Sequence, residues 1–263
     1  MARRESRGRV MALLTLLLLV APVATTLAWL DATRWNYVLS LPELGASRGG
    51  NAPGVDIRPE NLQRLKQSIL NVRVMRCDGE GWSSGTSFVL ARGYVLTAAH
   101  VVKENQACGS DILLVDHRGL EYRAELSGYS DETQLDLAVL AVGGLDFEPL
   151  RLADSSAYEN SDNTIQVVTI GYPPGASSAD EAALSGAGLV SSFRDGRFFT
   201  SGMDLNPGNS GGPVFVMEEW SVLGLAIAKG NADAGAEGLG LVLPSNTLAS
   251  FFEDRTGQSV PGV

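Results

Sequence analysis

The sequence predicts an all-β sandwich or barrel architecture, and three observations carry that expectation. From Ile69 onward, short apolar or alternating runs recur at 69–76, 85–90, 93–97, 111–115, 120–127, 135–141, 165–170, 185–193, 197–203, 213–217, 221–228 and 238–243. Gly, Asp and Asn turns separate them, and the chain holds 30 Gly. No strand–helix–strand rhythm of about 30 residues interrupts the series, so a parallel sheet with crossover helices is not expected.

Taken in order, the elements begin with a segment that is not fold material. Arg3, Arg4, Arg7 and Arg9 stand against Glu5, and Val10 to Leu30 then runs 21 residues without a charge. A basic flank before such a run marks a targeting or anchoring segment. A cleavable signal peptide would use Leu13–Val20 as its apolar core and a small-residue site near Ala24 or Ala28. An uncleaved transmembrane anchor would use the whole run, which as a helix reaches roughly 30 Å. Leu27, Trp29 and Leu30 continue the run past the cleavage sites and favour the anchor. Either form exports the remainder to an extracytoplasmic compartment, periplasmic or secreted.

Residues 31–60 read as a linker, with LPELGASRGGNAPGVDIR at 41–58 its most flexible part. Pro59 to Ser68 suits a short helix with Pro in its first turn. The β-rich domain then occupies 61–254, with a closing helix from Pro244 to Asp254 and a loose tail over 255–263. No internal repeat recurs at a fixed period.

Composition narrows the function. The 263 residues are 44% apolar and 19% charged, enough for a globular core. The net charge is −10; setting aside the four Arg and one Glu of residues 1–30 leaves 16 positive against 29 negative side chains, or −13. Such a surface repels a phosphate backbone, so nucleic acid is excluded as a main partner. With only two His, any His-dependent chemistry must use His100 or His117.

Three segments carry chemistry. YVLTAAHVV (94–102) places His100 on a turn after a strand. LDLAVLAV (135–142) is an apolar run broken only by Asp136. NPGNSGGPVF (206–215) sets Ser210 in a Gly-rich turn before a strand. A hydroxyl is a weak nucleophile at neutral pH; it needs a base within reach, and the imidazole needs a carboxylate to fix its tautomer. Asp136 competes with Asp111, Asp116, Asp131 and Asp146, but those fall at strand edges or turns, whereas an Asp inside an apolar strand must find a partner. The amides of Gly208 and Ser210 would hold an oxyanion. Ser210 also fits the G-x-S-x-G elbow of α/β-hydrolases, but that fold places its His after its Ser, and both His here precede Ser210. His117, in the turn DHRG (116–119), reads as an exposed hairpin residue. Cys77, His100, Cys108 and His117 lack paired zinc-ligand spacing, so neither a metal nor another cofactor is expected. In an exported protein, Cys77 and Cys108 pair by default into one disulfide, the alternative being two buried thiols.

These segments, with SSGTSFVL (83–90), TIGYPPG (169–175) and GLGLVLPSN (238–246), resemble the trypsin-like serine proteases, and within them the high-temperature-requirement (HtrA-like) branch without a PDZ domain. The resemblance covers about residues 69–250. It implies two packed antiparallel β-barrels, about 69–145 and 146–243, with His100 as general base, Asp136 as its orienter and Ser210 as nucleophile in the cleft between them. It implies a serine endopeptidase acting on exported protein or peptide substrates through an acyl-enzyme; the alternative is a catalytically silent binding protein of the same fold, tethered at the membrane. Activation by a new N-terminal ammonium is not expected, because the residue before the nucleophile is the neutral Asn209. The resemblance places a substrate pocket near Asp204, Ala228, Lys229 and Gly238. Asp204 lies six residues before Ser210, the offset of trypsin's pocket carboxylate. It would favour a basic substrate side chain, which Lys229 would oppose; otherwise Asp204 is a solvent-facing strand residue.

Overall fold

The computed structural model describes residues 59–160, 165–173, 182–203, 205–229 and 239–260. The expected leader or anchor (1–30), most of the linker, and the end of the tail lie outside them. Among the described residues no helix is long and apolar enough to cross a membrane.

The fold is all-β, with two closed barrels. Six strands form the first: β1 (Ile69–Met75), β2 (Trp82–Ala91), β3 (Tyr94–Thr97), β4 (Ile112–Val115), β5 (Glu121–Ser130) and β6 (Leu137–Val142). They close in the order β1-β2-β3-β6-β5-β4, every pair antiparallel. The second is built from β7 (Gln166–Gly171), β8 (Ala183–Leu184), β9 (Gly188–Arg194), β10 (Arg197–Ser201), β11 (Pro213–Val216), β12 (Ser221–Lys229) and β13 (Leu239–Pro244). Its order is β11-β12-β13-β10-β9-β7, closed by a β11–β7 pairing, with β8 appended to β7. Register shifts at Val89/Ala91, Leu126/Gly128 and Ala226/Ala228 bend the strands, as closure of small barrels requires.

Alternation fills the interiors. Phe88, Leu90, Leu96, Leu114, Leu137 and Leu140 are fully buried in the first barrel; Phe198, Val214, Leu223 and Val242 are fully buried in the second. Each such side chain contributes about 1.5–3 kcal/mol. Across the seam Leu150 N donates to Val89 O (2.9 Å) and the Tyr172 hydroxyl to Ile69 O (3.2 Å).

Two helices match the sequence expectation. The first, α1, spans Pro59–Gln67 and buries Leu65. The last, Ser245–Thr256, buries Leu248, Phe251 and Phe252 and ends at Gly257, whose φ is +69°. It packs on β5 and β6 of one barrel and on β12 and β13 of the other. Between them lies α2 (Lys103–Cys108), which sequence reading did not anticipate. Its six residues carry no buried side chain, so no apolar period announces it. It is tied instead by the Cys77–Cys108 disulfide and by Cys77 N donating to the Glu104 carboxylate (3.1 Å).

That disulfide, expected by default, joins residues 31 apart, a loop whose closure stabilises by about 3–4 kcal/mol in the chain-entropy model. Replacing both cysteines by Ser is expected to lower Tm by roughly 10 °C, and reductant is expected to shift the wild type equally. A Tm indifferent to both would show that the clamp contributes nothing.

Asp116, one of the rival carboxylates, is fully buried in the β4–β5 turn. Burial alone would raise its pKa, but hydrogen bonds from Arg118, the Leu120 amide and the Tyr122 hydroxyl outweigh it and hold the carboxyl below its ordinary value. Because the folded value is lower than the unfolded one, this stabilisation is complete above about pH 4 and disappears as pH falls through the folded value. Asp116→Ala is expected to cost about 1–3 kcal/mol at neutral pH by orphaning these donors. The gap from wild type should narrow below pH 4 in denaturant titrations; a gap constant down to pH 2 would contradict this.

His117, expected exposed, is half-buried instead, with its ring 5.9 Å from that of Phe147 and its Nδ1 buried. The turn folds back on the segment after β6, a tertiary contact that the local sequence cannot show.

Candidate active site

The segment bearing His100 leaves the core at the end of β3. Ala98 and Ala99 are fully buried, so only small side chains fit there. One 3-10 turn, Ala99–Val101, then carries His100 to the seam.

Two contacts from one carboxylate hold the ring. Asp136 Oδ1 accepts the His100 backbone N–H (2.9 Å), and Oδ2 lies 2.8 Å from His100 Nδ1. An ionised carboxylate only accepts, so Nδ1 carries the proton and the lone pair sits on Nε2. Asp136 is itself buried, 4% exposed. It does not lie inside an apolar strand, as the sequence suggested. It ends the turn before β6, with φ +58°, in the left-handed region that Asp tolerates better than most residues. Its amide donates to Asp131 O (2.9 Å), while the Asp131 carboxylate caps Thr133. The other rivals are also engaged elsewhere: Asp111 with Arg123, Asp146 with Arg92.

Ser210 lies on the turn entering β11. Two glycines there are obligatory. Gly208 has φ +92° and a Cβ on it would stand 2.0 Å from Tyr172 O; Gly211 has φ +84° and a Cβ would stand 2.2 Å from Thr86 O. Gly211 N and Gly212 N donate to Ala226 O and Asn209 O. Among the described residues the N–H groups of Gly208 and Ser210 have no acceptor. Asn209 O is held by Gly212 N, and in a trans peptide the next N–H points the opposite way, so the Ser210 N–H faces outward from the turn. The Ser210 hydroxyl donates to Ile227 O (3.3 Å) rather than to the imidazole.

His100, Asp136 and Ser210 line one cavity of about 490 Å³. Leu205, Pro207, Ala226 and Ile227 give it an apolar wall, and Glu132 is a carboxylate on its rim. Sequence reading singled out none of these five. Leu205, Ala226 and Ile227 read as core, and an exposed Glu in a turn carries no local pattern. Of the pocket residues suggested by resemblance, Asp204 and Gly238 lie outside the described residues. The backbones of Ala228 and Lys229 run on β12, opposite Leu241 and Gly240; their side chains lie outside the description. Cys77 and Cys108 are bonded to each other and so offer no thiolate to a metal.

Comparison with known proteins gives the chain a family. The family model described as trypsin-like peptidase domain matches residues 85–225, more than half of the chain. A probable periplasmic serine endoprotease DegP-like of Halomonas elongata is 33% identical over 62% of the chain and 33% of its own length. The periplasmic pH-dependent serine endoprotease DegQ of Escherichia coli is 32% identical over 66% of the chain and 38% of its own length. The chain thus spans about a third of the length of the curated relatives it matches. A serine endoprotease from Yersinia pestis shares the fold, with TM-score 0.58 and 22% identity over 75% of this chain and 66% of that one. The family match runs from within β2 to within β12 and includes His100, Asp136 and Ser210, and the chain belongs to the trypsin-like peptidase family, with relatives among the HtrA/DegP-type serine endoproteases.

Proposed function

We propose that the chain is a serine endopeptidase acting on exported proteins or peptides, with residues 61–254 as its catalytic domain. The observation that carries this reading is the two-point grip of Asp136 on His100 in the cleft that Ser210 also lines. His100 Nε2 takes the hydroxyl proton as Ser210 Oγ attacks the scissile carbonyl carbon. The oxyanion lies against the N–H groups of Gly208 and Ser210. His100 then returns the proton to the leaving nitrogen, the C–N bond breaks, and an acyl-enzyme remains. Water, deprotonated by His100, attacks the ester, and the Ser210 hydroxyl is regenerated.

Export is supported by the exposed disulfide and by the periplasmic designation of the relatives. One observation favours the second reading, a catalytically silent binding protein: the Ser210 hydroxyl is engaged by Ile227 O. A χ1 rotation redirects it, and such hydrogen bonds often form only with substrate bound.

A peptide-library cleavage profile, run beside labelling with a peptidyl phosphonate, tests the two. Turnover with stoichiometric labelling is expected. A folded protein that neither cleaves nor labels supports the binding protein.

A further inference from the structure

The nucleophile turn belongs to the second barrel and the base to the first, so something must fix one against the other. Thr86, on β2, is fully buried. The pairing of β2 with β3 begins only at Ser87, and at Thr86 that strand edge turns to the Ser210 segment instead. Thr86 N donates to Ser210 O (2.9 Å), and its hydroxyl donates to Gly208 O (2.6 Å) while accepting from Tyr172 N (3.0 Å). Thr86 O in turn accepts from the Thr97 hydroxyl (2.7 Å), three residues before His100. One residue therefore grips the carbonyl of Ser210 itself and that of Gly208, two residues before it, and is itself gripped by the strand that delivers the base.

We infer that Thr86 is a positioning residue, whose hydroxyl holds the 208–210 turn in register with His100 so that the Gly208 and Ser210 amides stay directed at the cleft. The inference rests on the reading of His100 and Ser210 as base and nucleophile. Val at this position keeps the shape but removes the hydrogen bonds to Gly208 O and from Tyr172 N. Ser keeps the hydroxyl and gives up only the methyl against Gly212, where a Cβ would stand 3.2 Å from Thr86 Cγ2.

The test compares Thr86→Val, Thr86→Ala and Thr86→Ser in the full chain by steady-state kinetics, phosphonate titration of active sites and amide exchange. Val and Ala are expected to lower kcat per titrated site about 10–100-fold, less than outright loss of an oxyanion donor, with KM within about threefold. Exchange at the hydrogen-bonded amides of Asn209, Gly211 and Gly212 is expected to quicken at least about tenfold, the protection that the clamp supplies. Ser is expected to restore kcat to within about threefold of wild type, since it keeps both side-chain hydrogen bonds. Wild-type kcat and exchange in a folded Val or Ala variant would overturn the inference, as would a loss in Ser equal to that in Val. Exchange is read without turnover: a wild type inert toward peptides and phosphonate defeats the endopeptidase reading, while the exchange comparison still decides the clamp.

Discussion

Ser210→Ala is expected to lower kcat/KM by about 10⁴–10⁶ while leaving the fold intact. The two halves of that expectation have different physical sources. For stability, the deleted hydroxyl makes a single 3.3 Å hydrogen bond to Ile227 O on a half-buried turn, and losing it costs about 1 kcal/mol or less. For activity, the proposed mechanism has Ser210 and His100 act as one unit, so removing either forfeits nearly all that the unit provides. Turnover that remains would come from the oxyanion amides and from binding alone. The check is kcat/KM on a peptide cleaved by wild type, with phosphonate labelling and Tm measured alongside. Labelling that persists in the Ala variant would move the nucleophile elsewhere; a collapsed Tm would mean that the hydroxyl is structural.

Much of the fold was legible because barrel strands alternate between a filled interior and a surface. That is why the run 120–127 found its place as β5; the run 221–228 found its place as β12 by being continuously apolar from Val222 instead, buried throughout 221–227. The run read as one strand over 185–193 becomes a strand only from Gly188, as β9, while Ala183–Leu184 just before it form the separate β8; Gly186 and Gly188 offer no side chains to show where the strand starts. The cleft was legible where residue type itself is chemical: a lone His after TAA, a Ser among glycines. It was illegible where membership is decided by tertiary folding. Asp136 reads as part of an apolar run because hydropathy does not record φ, yet its left-handed backbone is what turns the carboxylate toward His100. Glu132, four residues earlier, reads as a solvated turn residue and lies on the rim of the same cavity.

Asp136→Asn is expected to lower kcat by about 10⁴ near neutral pH with little change in KM. The size of this effect follows from the two-point grip. The carboxylate satisfies two donors at once, the His100 amide at 2.9 Å and Nδ1 at 2.8 Å. A carboxamide of the same shape has one oxygen and one NH₂ to offer. If its oxygen keeps the backbone N–H, its NH₂ faces Nδ1 and donates to it; the imidazole proton then moves to Nε2, the atom that must accept from Ser210. If the amide turns over, its oxygen accepts from Nδ1 and keeps the tautomer, but its NH₂ then opposes the His100 N–H and two donors meet in a buried site, so this orientation is disfavoured. The favoured orientation removes the base without removing the ring, which is why KM and the fold should survive. Asp146→Asn is the matched control. That carboxylate lies in a comparable acidic turn but pairs with Arg92 at the surface, 2.7 Å away and with both side chains about 80% exposed, and its loss should leave kcat within about twofold, as for most exposed ion pairs. Stopped assays on the three proteins, with active sites titrated, separate the outcomes. An Asp136→Asn enzyme within tenfold of wild type would mean that the buried carboxylate serves the turn rather than the imidazole, and the pairing seen at Nδ1 would then be packing without chemistry.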